Sequence, residues 1–76
     1  MNNTRRKSLS AILAQLENLS SDLEMLLEEE QEAFDNLPEG IQESERGERM
    51  TEAIDNLESA ISALEETREY IEEAIQ

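Results

Sequence analysis

Asn36-Leu37-Pro38-Glu39-Gly40-Ile41-Gln42-Glu43-Ser44-Glu45-Arg46-Gly47 is the one stretch of the chain where helix-breaking residues gather, and it separates two long amphipathic segments. Pro38 disfavours a helical Leu37, Gly40 permits a reversal, and Gly47 lowers helix propensity. On the N-terminal side Leu9, Ile12, Leu16, Leu19, Leu23, Leu26, Glu30, Ala33 and Leu37 recur at alternating steps of three and four, which places them on one helical face. On the C-terminal side Met50, Ile54, Leu57, Ile61, Leu64, Arg68, Ile71 and Ile75 repeat the rule. The step of thirteen from Leu37 to Met50 leaves the heptad frame where Pro38 and the glycines lie. A doubled-back chain is therefore predicted in preference to one unbroken helix.

The expected fold is all-α: an antiparallel two-helix hairpin, coiled-coil-like, that dimerises into a four-helix bundle. One domain spans 1–76, with a basic N-terminal segment over about 1–8, helix 1 over about 8–36, a turn over about 37–44 and helix 2 over about 45–75. Thr4 or Ser8 is expected to cap helix 1. Ser44 is expected to cap helix 2, with Glu45 and Glu48 at the positive end of its dipole. Arg5, Arg6 and Lys7 stand at the unfavourable end of their own helix, as do Glu72 and Glu73, and folding back brings the two sets together.

Dimerisation follows from the breadth of the apolar faces. Helix 1 adds a third column, Leu13, Ser20, Leu27 and Phe34, and helix 2 adds Ala53, Ala60, Thr67 and Ala74. Faces this wide suit bundle helices, whereas a two-stranded seam needs only two columns. Self-association is assigned to Leu13, Leu16, Leu23, Leu27, Phe34, Leu57, Ile61, Leu64 and Ile71. Glu30 and Arg68 interrupt the stripes. The antiparallel register sets Glu30 near Leu57 and Arg68 near Leu19, so they either lie at the stripe edges or pair between subunits. Phe34 and Tyr70, the only aromatics, are read as packing residues.

Composition narrows the function classes. Only 76 residues cannot surround a large pocket, and the chain has neither cysteine nor histidine. Disulfides, thiolate metal sites and the Glu-x-x-His pattern of di-iron bundles are thereby excluded. Glu28, Glu29, Glu30 and Glu32 form an acidic run without the spacing of a calcium loop. No cofactor, metal or catalytic residue is assigned, and enzymatic activity is not expected. Twenty acidic against six basic residues give a net charge of -14, which opposes direct binding of nucleic acid or anionic membrane and favours a partner with a basic surface. No run of apolar residues is long enough for a membrane span, and a cytoplasmic location is expected. Candidate partner-binding residues are Ile41, Arg46 and Arg49 at the turn, and Glu65, Glu66 and Glu69 on the acidic face of helix 2.

The segment from Phe34 to Met50, with Asn36-Leu37-Pro38-Glu39 followed by Ser44-Glu45-Arg46-Gly47, resembles a group of small acidic helical-hairpin proteins of Firmicutes phages and prophages. The likeness covers about residues 28–76 and carries over no functional residue. It implies a mobile-element origin, a bacterial host cytoplasm, and a host-takeover, regulatory or anti-defence role. Two functions are expected on these grounds. The first is a non-enzymatic protein–protein interaction or regulatory module acting by self-association and partner binding. The alternative is an acidic nucleic-acid mimic that inhibits a host DNA- or RNA-binding defence protein, of anti-CRISPR or anti-restriction type. A duplex of roughly 45 Å, the length of one such helix, carries about 26 phosphate charges, and the 20 acids come within a factor of two of that number.

Overall fold

The computed structural model describes all residues from Met1 to Gln76. The chain is all-helical: α1 spans Asn3–Asp35, a single turn of helix α2 spans Glu39–Gln42, and α3 spans Glu45–Ile75. The long helices α1 and α3 pack along each other as an antiparallel hairpin, a rod of 58 × 15 × 12 Å.

Helix α1 begins at Asn3, earlier than the start near Thr4 or Ser8 expected from the sequence. Asn2 is the cap: its side-chain oxygen accepts the Arg5 backbone N–H at 2.8 Å, so the basic residues belong to the first turns of the helix. Arg6 then extends the inward stripe and donates from Nε to the Ile75 carbonyl at 2.9 Å. The expected meeting of the basic start with Glu72 and Glu73 is thus replaced by a guanidinium satisfying a terminal carbonyl of α3, which the negative end of that helix favours.

The connection differs from a simple turn. Pro38 occupies the N-cap of α2, its carbonyl accepting from Ile41 and Gln42 at 2.9 and 3.0 Å. Gly40 does not supply the reversal expected of it: no residue has a positive φ, and a Cβ added at Gly40 would meet nothing. Gln42 reaches back, and its Nε2 donates to the Phe34 carbonyl at 3.0 Å, closing the C-terminus of α1. Ser44 is the N-cap of α3 as predicted, but its hydroxyl does not cap that helix. It donates instead to the Ile41 carbonyl, tying α3 to α2. Gly47, in the first turn of α3, is buried with backbone atoms of Ile41 and Gln42 directly against it. This close approach is the physical reason for a glycine inside a helix, and it lets α3 begin tight against the connection.

The inward stripe of α3 runs through Gly47, Met50, Ile54, Leu57, Ile61, Leu64, Arg68, Ile71 and Ile75, as its spacing predicts, with Gly47 added. Along α1 the seam is built from Leu9, Leu13, Leu16, Ser20, Leu23, Leu27, Glu30 and Phe34, with Leu37 continuing it just past the helix. The column read from the sequence as an accessory, Leu13-Ser20-Leu27-Phe34, thus faces α3. The column of Ile12, Leu19, Leu26 and Ala33, read as part of the main stripe, stays exposed. The register also moves. Arg68 Nη2 pairs with Glu17 Oε1 at 3.8 Å, and Glu30 lies beside Met50 and Ala53 rather than Leu57. The compact connection reverses the chain between Asp35 and Glu45 rather than between Leu37 and Met50, which brings earlier residues of α3 level with Glu30.

Candidate functional site

The two seams leave the hairpin with two unlike flanks. In an antiparallel pair with period seven, the columns beside the seam meet their counterparts on the same side. One flank joins Ile12, Leu19, Leu26 and Ala33 of α1 to Ala53, Ala60, Thr67 and Ala74 of α3. Its large residues are open to solvent: Ile12 is 41% exposed, Leu26 52% and Leu19 53%. The hydroxyl of Thr67 is bonded to the Ala63 carbonyl of its own helix at 2.9 Å, so the flank presents no unpaired side-chain donor of its own. The opposite flank joins Glu17 and Glu24 of α1 to Glu58, Glu65 and Glu72 of α3, all exposed. Arg68 leans into this acidic side through Glu17, its side chain 29% exposed.

The nine residues assigned from the sequence to self-association, Leu13, Leu16, Leu23, Leu27, Phe34, Leu57, Ile61, Leu64 and Ile71, all lie half-buried in the seam between α1 and α3. They hold the hairpin closed. The sequence-based assignment misses Ile12, Leu19 and Leu26 as the free apolar surface, because a stripe flanked by apolar columns on both sides reads alike in either direction.

The turn residues come together in part. Ile41 is exposed on α2, and Arg46 and Arg49 line a shallow concavity with Glu30, Met50 and Ala53. Arg49 pairs with Glu45 at 3.7 Å, both side chains well exposed, an interaction contributing about 0–1 kcal/mol. Glu65, Glu66 and Glu69 remain exposed along α3 and come together in part: Glu65 and Glu69 line one concavity with Arg68 and Glu72 on the acidic flank, and Glu66 and Glu69 line another with Tyr70 and Glu73. Tyr70, expected to pack, is exposed. Phe34 packs in the seam. No group of three or more carboxylates is arranged to hold a metal ion, and no helix is long and apolar enough to cross a membrane.

The chain matches no protein-family model, no curated protein and no solved structure. Its own surface therefore carries the functional reading.

Ser20 is one of two places in the seam, with Arg68 Nε, where a buried side-chain polar atom has no partner. It is the one buried polar residue with a side chain, and its Oγ has no hydrogen-bond partner. A buried hydroxyl without a partner costs about 1–3 kcal/mol, and alanine is the better helix former by roughly half a kcal/mol. Ser20→Ala is expected to raise stability by about 1 kcal/mol, seen as a higher urea midpoint by circular dichroism. A fall in midpoint would mean that the hydroxyl has a partner.

Proposed function

We propose that this chain is a non-enzymatic protein–protein interaction or regulatory module of mobile-element derivation, acting in a bacterial host cytoplasm by self-association and partner binding. The observation that carries this reading is the unpartnered apolar flank, where Ile12, Leu19 and Leu26 keep from two-fifths to half of their surface in water although the seam has consumed the rest of the greasy face. Isolated exposed leucines are ordinary, but a column of them aligned beside an alanine column is a contiguous patch of the kind that marks interaction sites.

The acidic flank favours a second reading, nucleic-acid mimicry, and magnitudes decide against it as the first choice. All 20 acids spread over the 58 Å rod give one charge per about 3 Å, against one per about 1.7 Å for duplex DNA. They are also distributed over the flank and the outward faces of both helices, so only part of that density can meet one basic channel.

Capture from bacterial lysate separates the two readings. The protein is immobilised at 50, 150 and 500 mM salt, beside a Leu19→Glu/Leu26→Glu variant and a Glu58→Gln/Glu65→Gln/Glu72→Gln variant. A specific protein retained at 500 mM salt and lost with the leucine variant is the expected result. A protein lost with salt and with the glutamine variant would establish mimicry, and no specific partner under any condition would overturn the proposal of partner binding.

A further inference from the structure

We infer that the apolar flank is covered by a second copy of the chain, related by a two-fold axis running along the rod, so that α1 of each protomer packs on α3 of the other. This deepens the reading above by assigning its self-association to one surface and one arrangement.

Surface area gives the first argument. A compact monomer of 8.7 kDa exposes about 4,700 Å², whereas the hairpin exposes 5705 Å². The excess, about 1,000 Å², is close to the roughly 800 Å² that each partner contributes to a stable interface of standard size.

Shape gives the second. The flank pairs a column of large residues, Ile12, Leu19 and Leu26, with a column of small ones, Ala53, Ala60 and Ala74. A two-fold axis makes the same patch meet itself. An axis along the rod lays the large column of each copy on the small column of the other, at even spacing and with every neighbouring helix antiparallel. An axis across the rod would set leucine on leucine and alanine on alanine, leaving one pair of helices too far apart and the other too close. Even interhelical distances of about 8–10 Å favour the first.

Charge gives the third. With a net charge of -14, two copies repel wherever their acids face. On α3, the flank column and the column just outside it carry Arg46, Arg49 and no acid, while the corresponding two columns of α1 carry Arg5, Asp22 and Glu29. An axis along the rod keeps heights unchanged, so Glu29 of one copy, next in the chain to the Glu30 that lines the Arg46–Arg49 concavity, is set toward those arginines of the other copy.

Light scattering coupled to gel filtration tests the interface, and single-cysteine variants test the arrangement, helped by the absence of native cysteine. The full chain at about 100 μM is expected at twice 8.7 kDa. Leu19→Glu/Leu26→Glu is expected to run as a monomer with its helical circular dichroism retained, since both side chains are exposed in the single hairpin, and its dimer dissociation constant is expected to rise at least 100-fold. Met25→Glu, equally exposed but on the back of α1, should leave the dimer intact. When a Leu19→Cys chain and an Ala60→Cys chain are mixed and oxidised, the mixed disulfide should dominate. A monomeric native chain, or a dimer insensitive to the glutamate pair, would overturn the interface, and exclusive Leu19→Cys homodisulfides would overturn the arrangement. A dimer that captures no partner leaves this inference standing and defeats only the partner-binding part of the function. A captured partner with a monomeric chain does the reverse.

Discussion

Gly47→Ala is expected to destabilise the protein by about 3 kcal/mol or more, against the direction that helix propensity predicts. In an exposed helix interior the same change gains about 1 kcal/mol. Here the new methyl carbon would lie 2.0 Å from the Gln42 carbonyl oxygen and 2.7 Å from that of Ile41. Both obstacles are backbone, so no side-chain rotation relieves them. Either the first turn of α3 unwinds or α2 is pushed away, and the second outcome also breaks the bond from Gln42 to the Phe34 carbonyl that closes α1. The control is Gly40→Ala, where the added methyl meets open space in a helical conformation. That change should stabilise by about 0.4–1 kcal/mol, chiefly by restricting the unfolded chain. Thermal unfolding of both variants at one fixed protein concentration is the measurement. Equal shifts of the same sign would show that α2 does not pack on Gly47 as described.

Ile54→Ala is expected to cost about 2–4 kcal/mol. Ile54, 5% exposed, is the only buried hydrophobic residue, the others in the seam being half-buried. It sits level with Glu30, where α3 has just left the connection, so the deletion opens space close to the turn rather than at a frayed end. A 76-residue protein has a total stability of roughly 4–11 kcal/mol, and this single loss removes a large part of it. Met25→Ala, with a side chain of comparable size that is 57% exposed, should change stability by less than about 0.5 kcal/mol. Chemical unfolding followed by circular dichroism distinguishes the two. If both variants unfold at the same midpoint, the seam is not centred where Ile54 places it.

These expectations rest on particular residues whose roles were legible in the sequence to different degrees. The α3 stripe was legible throughout, because Met50 to Ile75 has apolar residues on one pair of columns and alanine, glutamate or polar residues elsewhere. The break at Pro38 was legible because proline lacks a backbone donor and biases its predecessor away from the helix. Gln42 as a reach-back donor and Arg6 as a partner for Ile75 were not, since each depends on where a backbone group of another element ends up; the Asn2 cap is local, its oxygen accepting from Arg5 three residues on, and was passed over for Thr4 and Ser8. Gly47 was visible as an anomaly, a glycine in a helical frame, but what it makes room for lies in α2.

Local chemistry written along the chain determined that there would be two long helices, where they part, that they run antiparallel, and that acids would crowd some faces and leave others free. Tertiary structure alone decided which side of α1 closes against α3. Leu9, Leu16 and Leu23 are flanked by Ile12-Leu19-Leu26 on one side and by Leu13-Leu27-Phe34 on the other, and helical periodicity is indifferent between two apolar neighbours of one column. The connection breaks the tie. Its Leu37 N–H and Gln42 side chain both donate to the Phe34 carbonyl of α1, and α3 comes down along the column that ends in Phe34. The other column is thereby left in water, and with it the surface on which the proposed function rests.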